Sequence, residues 1–329
     1  MISTSSRAAL ALLLTVAVGA AACSSFGTDP GHDPVSRDAS PGTDGGDGDA
    51  FDPVKGTPQQ DSGSNTGRDA GGKADAAEWS PKDLPGLAVW LDSTVGAMFD
   101  VNTKLTSWAD QSGNGNNATI KPPCIGPARA ANSLNGHDTL AFTGSGAVGA
   151  CVTIADATSL QFGTNDFAIF VVARYTNVPN VLFSSTSTAN LWEKYLPEQK
   201  PPGNPFVGVR LIANTLSDSK LRIQQNNFSD PWTESATASL NDNVFRRLGG
   251  TRRGVTMEVW IDGASDGSVA LASSLDVSQP GQSASIGGDP VQNISWLQGN
   301  IAEVVAVKGT LSDPQIKQLD GYFKAKHGL

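Results

Sequence analysis

The chain has 329 residues, with 32 acidic and 23 basic side chains and a net charge of −9 at pH 7. Nucleic-acid binding needs clustered Lys and Arg, so this balance argues against a nucleic-acid partner. With 36 glycines and only 7% aromatic residues, the composition favours turns and short strands over helices.

Residues 1–22 have the pattern of an export signal. Arg7 precedes a run of small and apolar residues at 8–22, which is too short to span a bilayer and fits a signal-peptide core. Cys23 then follows three alanines. This resembles the bacterial lipoprotein signal, in which the cysteine is lipidated and the preceding peptide is removed, although Ala20 stands where that family usually has leucine.

The resemblance implies that Cys23 carries lipid and becomes the N-terminus. Acyl chains would hold the protein at a membrane without a spanning helix, each buried CH₂ contributing about 0.8 kcal/mol. In lipoproteins of two-membrane bacteria, Ser24 rather than Asp after the cysteine favours the outer membrane. We therefore expect a cell-envelope location, in the outer membrane or at the cell surface. An ordinary secretory signal with a chance cysteine is the alternative.

Residues 23–80 are rich in Gly, Asp, Ser, Pro and Thr, and residues 24–80 contain eleven acids against four bases. Such a segment buries too little apolar area to offset the entropy of ordering it. We predict a disordered acidic tether at 23–80 and one folded domain at 81–329.

Apolar runs separated by turn signals fill the predicted domain. The run at 167–173 is nearly continuous, as in a strand covered on both faces, and apolar residues alternate at 255–261. At the C-terminal end, Ser312 and Gln315 form a capping box before an apolar helical stripe. The pattern predicts an all-β fold, a two-layer antiparallel sandwich with one short C-terminal helix.

Lipidation of Cys23 leaves Cys124 and Cys151 as a pair. Export would place this pair where disulfides persist, and chain-entropy reasoning values the loop that it closes at roughly 3 kcal/mol. The sequence therefore predicts a disulfide between Cys124 and Cys151, with two unpaired buried thiols as the alternative.

Seven segments together resemble a known family. They lie at 84–92 (LPGLAVWLD), 108–118 (WADQSGNGNNA), 142–144, 258–263 (EVWIDG), 286–288, 299–307 (GNIAEVVAV) and 311–315. Over residues 84–329 the chain is similar to a laminin-G-like domain of the concanavalin A-like lectin/glucanase superfamily. The resemblance implies a jelly-roll of two antiparallel sheets. It implies little about activity, because members bind glycans, bind proteins, hydrolyse polysaccharides or only space other domains.

A glycoside hydrolase needs two carboxylates that face the scissile bond. The glucanases of this superfamily carry a Glu-x-Asp-type strand motif, which this sequence lacks. Glu193 is predicted to lie in a Pro-rich loop, and Glu303 is predicted to face inward and contact a nearby turn in a structural role. No catalytic residue is assigned. An enzymatic function stays uncertain and is less favoured than a binding function.

The loop at 110–117 offers oxygen ligands for one calcium ion. Calcium takes six to eight oxygens, which the carboxylate of Asp110, the amides of Asn114 and Asn116, and backbone carbonyls would supply. Laminin-G-like relatives often carry one calcium, at positions that do not map onto this chain. The alternative is a tight turn that uses Gly and Asn for backbone reasons.

Glycan recognition needs exposed aromatic rings beside planar polar groups, and Trp192, Tyr195 and Trp232 lie in segments without strand alternation. They are the candidate ligand-binding residues, with packing within loops as the alternative. The sequence thus predicts a lipid-anchored surface binding module, non-catalytic, that recognises carbohydrate. The alternatives are a structural or protein-interaction lipoprotein whose partner is an envelope or extracellular protein, and a polysaccharide hydrolase.

Overall fold

The computed structural model describes residues 79–145, 148–176, 188–195, 208–214, 219–225 and 232–329. The strands in these residues are β1 (Leu87–Asp92), β2 (Ala97–Phe99), β3 (Leu105–Trp108), β4 (Ala118–Thr119), β5 (Ala128–Leu134), β6 (His137–Phe142), β7 (Gly144–Ser145), β8 (Val148–Gly149), β9 (Val152–Ile154), β10 (Phe167–Tyr175), β11 (Thr188–Tyr195), β12 (Gly208–Asn214), β13 (Leu221–Gln225), β14 (Thr233–Glu234), β15 (Arg246–Arg253), β16 (Thr256–Ile261), β17 (Ala264–Ala270), β18 (Ala284–Ile286) and β19 (Gly299–Lys308). One α-helix, α1 (Asp313–His327), follows them, and short 3-10 turns lie at Pro81–Asp83 and Thr158–Leu160.

The strands form two large antiparallel sheets. The first sheet has the order β17-β16-β15-β10-β19-β6-β5, and β1 also pairs with β19. The second sheet has the order β14-β13-β12-β11-β18-β9-β4-β3-β2, and β7 and β8 form a separate hairpin. The prediction of an all-β, two-sheet antiparallel sandwich with one C-terminal helix is confirmed.

The main hydrophobic core lies between the two sheets. Along each strand, alternate side chains point to opposite faces, so one set from each sheet meets the other. Ile169 and Val171 of β10 pack there with Leu211 of β12, Ile223 of β13 and Ile286 of β18. β10 lies between β15 and β19, and all but one of its side chains are buried. This is the strand covered on both faces that the run at 167–173 predicts.

Helix α1 covers the outer face of the first sheet. Its stripe of Ile316, Leu319 and Phe323 packs against the β10 and β19 side chains that point away from the main core, among them Phe170 and Val305. The helix begins at the predicted capping box, where the backbone N–H of Ser312 donates to Gln315 Oε1 over 2.9 Å, and it ends at Gly328 with φ +66°. A second hydrophobic layer thus protects the first sheet from solvent.

Glu303 of β19 is fully buried beneath the helix. It accepts hydrogen bonds from Trp90 Nε1 at 2.5 Å, Tyr322 Oη at 3.0 Å and Lys326 Nζ at 2.9 Å, and His327 Nε2 lies 2.8 Å from it. The predicted buried structural role is confirmed, but the partners are the C-terminal helix and Trp90 of β1, not a turn. A buried carboxylate needs such donors, because burial without them is costly.

Cys124 and Cys151 form a disulfide with their Cα atoms 5.1 Å apart, as predicted. It packs beside the buried ring of Trp296. The predicted signal peptide, Cys23 and nearly all of the tether lie outside the described residues, which begin at 79. Among the described helices, none has the length and apolar character to span a bilayer.

Replacing Phe323 by Ala should destabilise the domain by about 3–5 kcal/mol, because the change opens a cavity between α1 and the first sheet. Urea unfolding measures this difference. Lys324→Ala, an exposed position on the same helix, is the control and should change stability by less than about 0.5 kcal/mol. Equal stability of the two variants would show that the helix does not contribute to the core.

Candidate functional site

A row of polar side chains crosses the outer face of the second sheet, the face turned away from the first sheet. Each member pairs with the next in register across neighbouring strands. From β13 to β3 the row is Gln224, Arg210, Glu193, Ser285, Thr153, Thr119 and Ser107. The sequence neighbours of these residues, such as Val209 and Ile286, point into the main core. On the first sheet, by contrast, the outward side chains of β10 and β19 are largely apolar and pack under α1.

A pocket of about 230 Å³ lies over the middle of this row. Glu193 and Ser285 are part of its lining, Tyr195 forms one side, and the segment from Asp289 to Val291 forms a wall. Two hollows of about 480 and 450 Å³ lie elsewhere on the surface. Among the described residues, the side chains that line these hollows include no buried polar atom without a hydrogen-bond partner. The smaller pocket is therefore the candidate site, since several buried polar groups converge there.

Glu193 lies in strand β11, so its predicted position in a Pro-rich loop is wrong. It is only 4% exposed. Its Oε2 accepts a hydrogen bond from Asn190 Nδ2 at 2.5 Å, and its Oε1 lies 2.8 Å from Ser285 Oγ. Arg210 Nε is 3.2 Å from Oε2, an ion pair that lacks hydrogen-bond alignment. The Arg210 guanidinium also donates to Asn190 and lies over the Tyr195 ring, 4.8 Å from its centroid.

Burial raises the pKa of Glu193 to about 8, because a desolvated carboxylate loses its hydration. The neighbouring Asp289 raises this pKa further, while Arg210 and Ser285 act in the opposite direction. Burial also raises the pKa of the Tyr195 phenol to about 12. The pocket therefore holds a carboxyl group whose pKa lies well above its ordinary range.

Asp289 follows β18 and is 1% exposed. Its Oδ1 accepts the backbone N–H groups of Val291 and Gln292, each at 3.0 Å. Its Oδ2 is buried and has no hydrogen-bond partner among the described residues. Burial raises the pKa of this carboxyl, opposed by those backbone donors and by Arg210. An unpaired buried acceptor is costly, so it marks this wall as the least satisfied part of the pocket.

Of the three predicted aromatic residues, only Tyr195 lines this pocket. Trp192 lies in strand β11, fully buried in the main core, so its prediction as a ligand contact is wrong. A register shift between Asn190 and Trp192 breaks the simple alternation in β11, which is why the sequence pattern hid this strand.

Trp232 lies beside β14 at the far edge of the second sheet. It is 37% exposed, and the Arg222 guanidinium lies 4.6 Å from its ring centroid. Arg222 also forms an ion pair with Glu234. Trp232 does not line the pocket, so the structure separates it from Tyr195.

The predicted calcium loop is tied to β1 by hydrogen bonds. Both carboxylate oxygens of Asp110 accept from the chain, including the backbone N–H groups of Trp90 and Asn116. The amide nitrogens of Asn114 and Asn116 donate to backbone carbonyls of β1. This geometry fits the tight-turn alternative, and calcium binding here stays a prediction. Within the described part of the chain, no three His, Cys, Asp or Glu side chains form a metal-binding group.

The functional residues that sequence reasoning missed are Arg210, Ser285 and Asp289. One signal was present, since Arg210 alternates with apolar Val209 and Leu211 and must therefore point away from the core. Nothing in the sequence aligns Arg210 with Ser285, however, because strand register decides which residues are neighbours.

A family model described as the concanavalin A-like lectin/glucanases superfamily matches residues 145–317, more than half of the chain. The chain belongs to this superfamily. The match includes β9, β11 and β18, the strands whose side chains line the pocket. No curated protein sequence matches the chain.

Solved structures show a likeness at low sequence identity. The binding domain of Paraclostridial Mosquitocidal Protein 1 superposes with a TM-score of 0.52 and 14% identity, covering 74% of this chain and 53% of that one. This superfamily member thus spans about half the length of that structure. Trypanosoma rangeli sialidase in complex with the inhibitor DANA gives 0.47 and 16%, covering 72% and 33%. Domain 4 of a Geobacillus stearothermophilus arabinanase in complex with arabinotriose gives 0.46 and 15%, covering 71% and 98%.

Replacing Glu193 by Gln should change how stability depends on pH. The pKa of Glu193 in the folded protein, about 8, lies above its ordinary value. The contribution of this group to folding stability is therefore complete below about pH 4.5 and is lost as the pH rises to about 8. Gln cannot ionise. Relative to wild type, the variant should therefore gain stability on the order of 4 kcal/mol between pH 5 and pH 9, from about three pH units at about 1.4 kcal/mol each. Urea unfolding at both pH values measures this. The prediction is wrong if wild type and Glu193→Gln differ in stability by the same amount at pH 5 and at pH 9.

Proposed function

We propose that this protein is a carbohydrate-binding module of the cell envelope and that its ligand binds in the pocket on the outer face of the second sheet. The observation that carries the proposal is the pocket itself. An aromatic ring, Tyr195, stands beside buried groups that form directional hydrogen bonds, Glu193, Ser285 and Asp289. Small-ligand sites typically combine an apolar surface with a few fixed polar groups in this way.

The packing supports placing the ligand on this face. Helix α1 covers the outer face of the first sheet, whereas the segments at 121–122, 281–283 and 289–291 line the pocket on the outer face of the second sheet. The Arg210 guanidinium is held by Asn190, Glu193 and the Tyr195 ring, so the pocket is arranged before a ligand arrives. Such preorganisation lowers the entropic cost of binding.

The test is binding of the full chain to an array of neutral oligosaccharides, including arabinotriose, and acidic oligosaccharides, including sialyllactose and trigalacturonate. We expect at least one to bind. Tyr195→Ala should weaken that binding at least about tenfold, equivalent to about 1.4 kcal/mol, because it removes the aromatic wall.

Trp232→Ala is the matched control, since it removes an exposed aromatic residue of the same sheet outside the pocket. It should leave binding within about twofold. Equal losses in the two variants would argue against this pocket as the site. Absence of binding to the whole array would favour the structural or protein-interaction role.

We also propose that lipid on Cys23 anchors the module to the membrane. The support is the run of small and apolar residues that ends directly before this cysteine. Expressed in a two-membrane bacterium, the wild-type chain should be recovered in the membrane fraction. The variant Cys23→Ala should be soluble, because acyl chains supply the membrane affinity.

Mass spectrometry of the membrane-extracted protein should find acyl groups on Cys23 as the N-terminal residue. Ser25→Ala serves as the control and should remain in the membrane fraction. An unmodified thiol at position 23, or equal membrane recovery of Cys23→Ala, would contradict the anchor. It would leave the sugar-binding proposal unaffected, since the pocket lies in the domain.

A hydrolase is the second candidate, and one observation favours it. Glu193 keeps a proton near neutral pH beside a second carboxyl, Asp289, and glycosidases use one protonated and one ionised carboxyl. Against it, Glu193 is enclosed by Asn190, Ser285 and Arg210. Release of reducing ends from any bound oligosaccharide, lost in Glu193→Gln, would support this second candidate.

A further inference from the structure

The contacts of Ser285 reveal where a proton resides in the pocket. Its Oγ lies 2.8 Å from Gly288 O and 2.8 Å from Glu193 Oε1. A serine hydroxyl has a single proton to donate, and a backbone carbonyl can only accept. If Ser285 donates to Gly288, the contact with Glu193 needs a proton on the carboxyl. A neutral Glu193 satisfies both contacts at once.

The charges around Glu193 agree with this assignment. Among the described residues, Arg210 faces it from β12 and Asp289 from the segment after β18, while Tyr195 is on its own strand. β18 contributes Ser285, which does not titrate in this range. Lys121 is exposed at the pocket rim. Two buried carboxyls thus face one partly buried guanidinium, and a retained proton removes the excess negative charge.

The same proton connects Glu193 to the pocket wall. Gly288 O accepts the hydrogen bond from the Ser285 hydroxyl, and Gly288 immediately precedes Asp289 in the chain. Asp289 in turn accepts hydrogen bonds from the backbone N–H groups of Val291 and Gln292. If Glu193 loses its proton to solvent, its oxygen needs the Ser285 proton, so Gly288 O loses its donor. The new charge also repels Asp289. Both changes act on the wall from 288 to 292.

We propose that Glu193 holds a proton in the folded protein, that this proton keeps the 288–292 wall in its binding arrangement, and that the pocket therefore takes uncharged, hydroxyl-rich sugars in preference to acidic ones. This inference rests on the sugar-binding function proposed above. Acidic sugars are disfavoured because Asp289 already presents an unpaired acceptor, which a sugar hydroxyl can satisfy and a sugar carboxylate cannot. Ligand affinity falls when rising pH removes the proton from Glu193.

The wall can be tested without a ligand, by hydrogen-exchange mass spectrometry on the full chain at about pH 7 and pH 9.5. After correction for the intrinsic rate, protection of the peptide containing Val291 and Gln292 should fall at least about fivefold in wild type. It should change less than about twofold in Glu193→Gln, whose amide can donate to Ser285 as the neutral acid does. Ser285→Ala should show low protection at both pH values.

If protection of this peptide responds to pH equally in wild type and Glu193→Gln, the proposal that the Glu193 proton controls the wall is wrong, whether or not any sugar binds.

For a neutral oligosaccharide that wild type retains on the array, affinity should fall about tenfold between pH 7 and pH 9.5, because one linked proton changes affinity up to tenfold per pH unit above its pKa. Glu193→Gln should remove this dependence. Stronger binding of sialyllactose or trigalacturonate than of neutral sugars would overturn the ligand class. Binding to no sugar would reject the proposed function, while the exchange result would still decide whether the Glu193 proton controls the wall.

Discussion

Alternation along the strands of the second sheet is the constraint on which the candidate site depends. Each strand sends one set of side chains into the core between the sheets and the other set outward. The inward set, such as Leu211 and Ile286, contributes most of the burial energy. A slip of one residue in register would exchange the two sets. The core packing therefore holds Arg210, Glu193 and Ser285 in line across three strands.

The two sheets carry out different tasks because their outer faces differ in polarity. On the first sheet, helix α1 covers the outward apolar side chains of β10 and β19 and also contacts the buried carboxylate of Glu303. On the second sheet, a polar row crosses the outer face, and the pocket lies over the middle of that row. One face therefore stabilises the fold, and the other is available for recognition.

The pocket shows how burial changes the chemistry of ordinary residues. Glu193 and Asp289 would be plain anions on an open surface, but desolvation raises the pKa of both. Arg210 balances part of this charge and also orders the Tyr195 ring. Hydrogen bonds with Asn190 and Ser285 fix the Glu193 carboxyl, and two backbone N–H groups fix that of Asp289.

The sequence alone determined the features that depend on local patterns: the buried strand at 167–173, the helix that begins at Ser312, the disulfide pair and the two-sheet class. Each follows from side-chain periodicity, capping or pairing chemistry within one segment or one pair. It placed Trp192 and Glu193 in loops, because a register shift in β11 interrupts the expected alternation. Only the tertiary structure brought Glu193 to Ser285 and Asp289, more than ninety positions away along the chain. Strand pairing determines which residues become neighbours, and the polarity of a residue does not indicate which strand lies beside its own.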